Sequence, residues 1–203
     1  MADSGGLSER DLDPSPFTQF ASWFAEAQSG RGLPEAMALA TATRSAEPSV
    51  RMVLLKGFDE RGLVFYTNYE SRKGRDLAEN PRAAALLYWW ELGRQVRFSG
   101  MVSKISEAES AAYFHSRPLD SQLSALASRQ SQVIPSRDML EARVRALAAE
   151  AAGREVPMPA FWGGYRLAPD AFEFWQGREK RLHDRILYTL GPNEAWTIER
   201  LAP

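Results

Sequence analysis

The chain has 203 residues, 44% of them hydrophobic and 25% charged, which suits one globular domain with a sizeable core. A net charge of -1 offers no global field to recruit nucleic acid or an acidic membrane, so any anion site must come from local clustering. With no cysteine and only His115 and His183, disulfides, a thiolate nucleophile and zinc–cysteine or multi-histidine metal sites are excluded.

The polar, acidic opening MADSGGLSERDLDPSP lacks the basic start and apolar run of a signal peptide, and no stretch of about 18 apolar residues occurs. A cytoplasmic location is the expectation, with residues 1–14 flexible or loosely attached and a single domain over 15–203. Ser15-Pro16 then opens a helix, with Ser as N-cap and Pro in the first turn, and Gly30 is a plausible stop. Phe17, Phe20 and Phe24 recur along it at helical spacing, as a core-facing stripe does.

From residue 36 the texture changes to short β-prone runs, AMALATATR, SVRMVLLKGF and LVFYTN, the last two joined by DERG as in a hairpin. ESRKGRDLAENP predicts a short helix ending before Pro81, followed by two more strands, RAAALLYWWE and GRQVRFSGMVSKI. Ser106 and Glu109 form a capping box for a helix that should end near Arg117, ahead of Pro118. LDSQLSALAS predicts a second helix, and RDMLEARVRALAAEAAG a third with Met139, Leu140, Val144 and Leu147 on its buried side. EVPMPAFWGGYRLAP, punctuated by Pro and Gly, is expected to be a link into three strands, AFEFWQG, RILYTL and AWTIERL. Hairpin-linked strands without regular strand–helix alternation imply an α+β fold, an antiparallel sheet closed or half closed as a barrel with helices outside.

The sequence has neither G-x-G-x-x-G nor G-x-x-x-x-G-K-[ST], so no Rossmann or P-loop nucleotide site is supported. No G-x-S-x-G elbow accompanies the two histidines, which argues against a serine hydrolase. Basic residues beside hydroxyls do cluster. Tyr66, Thr67, Ser71, Arg72 and Lys73 span a strand end and a helix start, where N–H groups and the helix dipole favour a phosphate. Arg51 and Lys56 have opposite parity on one strand, so either they serve different groups or one lies where the strand ends. Tyr113 and Arg117 share a helical face, and Ser121 follows the Pro118 break, which makes a second phosphate-sized candidate; an arginine capping carbonyls is the plainer alternative. Gln95 could meet a heterocycle edge, Gln130-Ser131 is a weaker signal, and Trp175 could stack on a ring or simply pack. In RLHDR, Arg181, His183 and Arg185 would share one face if extended, either answered by an anion or forming a solvated edge strand.

RMVLLK, VFYTN..SRK, RQV, YFHSRP.DSQ, QS, FWGG, FWQG and RLHDR occur in this order. With them the chain resembles, over residues 16–203, the pyridoxine/pyridoxamine 5'-phosphate oxidase family of FMN-binding split barrels. The resemblance implies a homodimer with FMN between subunits, acting on pyridoxamine 5'-phosphate and pyridoxine 5'-phosphate with dioxygen; composition and charge point to no nucleic acid, membrane or metal. It assigns Arg51, Met52, Val53, Leu54, Leu55 and Lys56 to the FMN side of their strand, and Tyr66, Thr67, Arg72 and Lys73 to the approach to its phosphate. It adds Gln95 and, from the partner subunit, Gln130, Ser131, Trp175 and Arg185 to the cofactor set. Lys56, Tyr113, Arg117 and Ser121 are implied for the substrate phosphate, and Arg181 and His183 for substrate binding and catalysis over its ring. A non-catalytic or differently specific FMN-binding split barrel is the alternative. The family often carries a basic, tyrosine-containing lid before the first helix, and this chain has only Arg10 and no tyrosine there.

Overall fold

In a computed structural model, which describes residues 6–151 and 153–203, the strands form one antiparallel sheet. In chain order they are β1 (Ala36–Ala42), β2 (Pro48–Leu54), β3 (Gly57–Asp59), β4 (Gly62–Asn68), β5 (Arg82–Trp89), β6 (Arg94–Lys104), β7 (Trp162–Gln176), β8 (Asp184–Leu190) and β9 (Trp196–Arg200). The helices are α1 (Pro16–Gln28), α2 (Arg72–Glu79), α3 (Glu107–Ser116), α4 (Leu119–Ala127) and α5 (Arg137–Ala151). The sheet runs β2-β1-β5-β6-β7-β4-β3, and β8 and β9 branch off β7. Thus the first half of β7 pairs with β4 and its second half with β8, while β6 accompanies both. That fork splits the curled sheet into a half barrel, the α+β architecture expected from the sequence.

The fork explains why the EVPMPAFWGGYRLAP segment is not merely a link. From Trp162 onward it is strand, and β7 runs through Pro169 without a break. The register against β6 shifts between Ser99 and Gly100, opposite that proline. A bulge tolerates a residue with no N–H to donate. Gly100 is required there, since a Cβ would lie 2.0 Å from the carbonyl oxygen of Ala168.

Helix α1 begins as the sequence predicts, Ser15 capping and Pro16 inside the first turn. Phe20 is fully buried, with its ring centroid 4.7 Å from Phe58 and 5.2 Å from Phe98, and Phe17 meets Phe172 at 5.0 Å. Phe24 packs against the same core, and Trp23, which the stripe left out, is also buried. Helices α3 to α5 enclose a second cluster around Phe114, Leu123, Val156 and Trp162. On α5 only part of the expected buried side appears: Val144 and Leu147 pack there, whereas Met139 is 47% exposed. No helix among the described residues is long and apolar enough to cross a membrane.

The N-terminal segment departs from expectation where it is described; residues 1–5 lie outside the described residues. Leu7 N–H donates to Asp184 at 3.0 Å, Arg200 holds Glu9 at 2.8 Å and the Leu7 carbonyl at 2.7 Å, and Leu12 is buried. Residues 7–12 are therefore fastened to the final strands rather than loosely attached. Arg200 beside the Glu9 carboxyl pulls its pKa down to about 2.

Candidate active site

A cleft of about 510 Å³ opens between the ends of β2 and β4 and helices α3 and α4. Lys56, Tyr66, Thr67, Tyr113, Arg117, Ser121 and Gln130 all line it, together with Leu54. The parity conflict between Arg51 and Lys56 resolves because β2 stops at Leu54. Lys56 lies in the gap before β3 and is free of the alternation.

Two clusters of cations lie in or behind the wall of this cleft, the first reaching it only through Thr67 and Gln130. In the first, Ser71 caps α2 and the Lys73 ammonium is buried behind it, at 7% exposure. Lys73 Nζ donates to Gln130 Oε1 at 2.7 Å, Thr67 Oγ1 at 3.1 Å and Ser71 Oγ at 3.3 Å. Burial, and then the nearby Arg51 charge, lower its pKa to about 8. Arg51 is held from β1 by Thr41 Oγ1 at 2.7 Å, and Asp76 stands 3.7 Å away. Arg72 is exposed and pairs with Glu47 at 3.2 Å.

In the second cluster, Arg117 ends α3 just before Pro118, and its Nη2 donates to the Ser121 carbonyl at 2.7 Å. Its guanidinium carbon lies 4.9 Å from the Trp162 ring centroid. Arg117 Nη1 is buried and has no hydrogen-bond partner among the described residues. Such a group is costly unless something polar completes it, and an anionic oxygen is the fitting partner. Tyr66 and Tyr113 stack at 3.8 Å beside it. Burial raises both phenol pKa values, keeping the hydroxyls protonated as donors.

The remaining expected residues lie elsewhere. Gln95, Trp175 and Arg185 are direct cross-strand neighbours on β6, β7 and β8, on the sheet's outer face. The His183 ring sits 4.7 Å from Trp175, and its Nδ1 accepts the Arg178 N–H at 3.1 Å, which leaves the proton of the neutral ring on Nε2. Arg181 is exposed. RLHDR is not extended throughout: Lys180 and Arg181 are left-handed, at φ 54° and 61°, and the strand starts at Asp184. Arg181, His183 and Arg185 therefore do not form one strand face. Asp184 instead anchors the N-terminal segment through Leu7 and Arg200.

The run Arg51 to Lys56 also needs correction. Met52 and Leu54 face outward, but Leu55 is buried in the core and Val53 packs against it, so those two side chains are turned away from the cleft. Gln130, expected from a partner, meets Lys73 of its own chain, while Ser131 is exposed at φ 70°. The sequence reading missed Asn68, Ser124, Ser128 and Trp162 in the cleft wall. A signal existed for the serines, since Ser121, Ser124 and Ser128 recur at helical spacing.

The profile described as pyridoxamine 5'-phosphate oxidase matches residues 25–150, more than half of the chain. The chain belongs to the pyridoxamine 5'-phosphate oxidase family. A second profile, the pyridoxine 5'-phosphate oxidase C-terminal dimerisation region, matches residues 162–203. A pyridoxine/pyridoxamine 5'-phosphate oxidase of Nostoc sp. is 55% identical over 200 residues, covering 98% of this chain and 93% of that protein. The protein of that name from Burkholderia ambifaria is 58% identical over 201 residues, covering 97% and 93%. Among solved structures, PhzG from Burkholderia lata, in complex with tetrahydrophenazine-1-carboxylic acid, superposes with a TM-score of 0.91 at 36% identity, covering 97% of this chain and 98% of that one. An FMN-binding, pyridoxamine 5'-phosphate oxidase-related protein of Nostoc punctiforme shares the fold at TM-score 0.74 and 17% identity, covering 93% and 98%. Within the oxidase family the two matched regions divide the site: the first contains Arg51 to Ser131, and the second contains Trp175, Arg181, His183 and Arg185.

Proposed function

We propose that this chain oxidises pyridoxamine 5'-phosphate and pyridoxine 5'-phosphate to pyridoxal 5'-phosphate as an FMN-dependent homodimer, with dioxygen reduced to hydrogen peroxide and, for the amine substrate, water hydrolysing the resulting imine with release of ammonia. The observation that carries the reading is the unspent, buried Nη1 of Arg117 in a cleft whose wall residues Thr67 and Gln130 bond a buried cation behind them, Lys73. Both ligands of the proposed reaction bear a phosphate, and the two cation clusters suit one each. Arg51, Thr67, Arg72 and Lys73 would hold the FMN phosphate, and Gln95, Trp175 and Arg185 would face the flavin from the other copy. Lys56, Tyr113, Arg117 and Ser121 would hold the substrate phosphate.

FMN, when bound, would take the two electrons and the hydrogen leaving the substrate carbon and pass them to dioxygen. The chain's own residues bind and orient. Arg181, with its planar fork, would orient the substrate and answer charge developing on it. His183, its Nδ1 occupied by the Arg178 N–H, has Nε2–H to donate to the substrate. The stacked Tyr66, Tyr113 and Trp162 rings shield the Arg117 pocket and strengthen its grip on an anion.

The likeness to PhzG favours a second reading, in which a tricyclic carboxylate meets Arg117 in place of a phosphate. Identities of 55% and 58% to the vitamin B6 oxidases, against 36% to PhzG, support the first. Anaerobic mixing of the FMN-loaded protein with pyridoxamine 5'-phosphate decides between them. Bleaching of the flavin absorbance is expected. A loaded protein that stays yellow with both phosphorylated substrates overturns the proposal, and bleaching only by a reduced phenazine carboxylate establishes the second reading.

A further inference from the structure

The outer face of the sheet holds a buried carboxylate to which nothing above assigns a role. Glu173 lies on β7 directly opposite Arg97 of β6 and is 7% exposed. Its Oε2 accepts from Arg97 Nη1 and its Oε1 from Arg185 Nε, each at 2.8 Å. Arg185 also donates through Nη1 to the Ala202 carbonyl at 3.0 Å.

A guanidinium carries five N–H donors in one plane. Two of those on Arg185 are spent, on two different nitrogens, and two such bonds restrict how the plane can turn. The others have no hydrogen-bond partner among the described residues. Arg185 sits beside Trp175, which sits beside Gln95, so the uncommitted donors belong to the same patch as those two side chains. Glu173 also answers the repulsion between Arg97 and Arg185, and its hydrogen bond raises the Arg185 pKa further. A surface arginine without such an anchor samples many rotamers, and ordering it on ligand binding costs affinity.

We propose that Glu173 is a positioning residue for the cofactor: it clamps Arg185 through Nε so that the remaining guanidinium donors are preset for the flavin, while Arg97 holds the second carboxylate oxygen. This rests on reading Arg185 as a flavin contact.

Titration of the full-length apoprotein with FMN, followed by flavin fluorescence, tests it in a double-mutant cycle. Glu173→Gln, Arg185→Gln and the double variant are compared with the parent chain. Glu173→Gln is expected to weaken FMN binding about tenfold or more in the parent background and by less than about threefold once Arg185 is Gln. A merely structural carboxylate would cost the same factor in both backgrounds, and that result overturns the proposal, as does an unchanged affinity in Glu173→Gln alone. Arg185→Gln by itself reports on the underlying reading. If it leaves FMN affinity unchanged, Arg185 is not a flavin contact and the positioning role falls with it. If Arg185→Gln weakens binding but the cycle is additive, only the role of Glu173 fails. Should Glu173→Gln fail to fold, Glu173→Asp keeps the charge but shortens the reach to Arg185. The same cancellation in the Arg185→Gln background is then expected, and its absence overturns the proposal.

Discussion

Replacing Lys73 with Met removes a buried ammonium while keeping most of the side chain's length and volume. The ordinary lysine pKa of 10.5 falls to about 8 at this site, which corresponds to about 3 kcal/mol disfavouring the folded apoprotein wherever both states are charged. The sign follows from the direction. Below pH 8 the penalty is full. It fades as the folded amine loses its proton between pH 8 and 10.5, and above that range both states are neutral. The ammonium's bonds to Thr67, Ser71 and Gln130 offset about half of this, at the low end of about 0.5 kcal/mol each because the hydroxyls can turn to other partners. The net expectation at pH 7 is an apoprotein about 1–2 kcal/mol more stable in Lys73→Met, or about 2–8 °C in Tm. FMN affinity should move the other way, falling roughly 10- to 150-fold with the loss of one charge-assisted phosphate contact. Thermal unfolding of both apoproteins at pH 7 and 9.5, with FMN titration alongside, gives all three readouts. The stability gap should narrow at the higher pH. A variant less stable than the parent at pH 7, or a gap independent of pH, would refute the desolvation argument. Unchanged FMN affinity would refute the phosphate site.

Two further outcomes follow from the same geometry. Arg117→Ala should weaken pyridoxamine 5'-phosphate binding about 10- to 150-fold while leaving FMN affinity within about threefold, as measured by titrating each ligand separately; equal losses would mean the two clusters are one site. Phe20→Ala should cost about 3–5 kcal/mol in urea denaturation, since the ring is fully buried against Phe58 and Phe98, and a loss under about 1 kcal/mol would contradict its place at the centre of the core.

Features whose cause is local were legible in the sequence. Ser106 and Glu109 form the capping box they spell, Pro118 ends α3, and the aromatic stripe of α1 enters the core. The gathering of Tyr113, Arg117 and Ser121 in one cleft could be read because a helix face and a proline break fix it within nine residues. What was misread depends on partners distant in sequence. Proline and glycine made the start of β7 look like a link, and only the bulge at Gly100 across the ladder makes Pro169 acceptable. RLHDR looked like one extended face, but the left-handed turn at Lys180 and Arg181 is held by surroundings that a pentapeptide does not reveal. Val53 and Leu55 show the limit of transferring a run of residues from a resemblance. Alternation along β2 sends Val53 inward, and Leu55, just past the strand's end, is buried in the same core.

The division of the site along β7 explains why a second copy belongs to the proposed function. Tyr66 in the cleft pairs with Gly164 near the start of β7, and Trp175, 11 residues further on, pairs with Arg185. At about 3.3 Å per residue that is roughly 36 Å along the strand. The path across the sheet is shorter but still long, because β2, which carries Leu54, and β8, which carries Arg185, are separated by β1, β5, β6 and β7. At about 4.8 Å per neighbour, five steps make roughly 24 Å. A single mononucleotide does not span either path, so within one chain the cleft and the sheet-face residues cannot share one FMN along these surfaces. A two-fold assembly would remove the difficulty, because an isologous contact that set one chain's sheet face against the other's cleft would make two equivalent sites at once. The match of residues 162–203 to a dimerisation region puts Trp175, Arg181, His183 and Arg185 on the part of the chain such a contact would use. On this argument, dilution below the dimer's dissociation constant is expected to release FMN along with the subunit, because the contacts proposed for Gln95, Trp175 and Arg185 would leave with the partner.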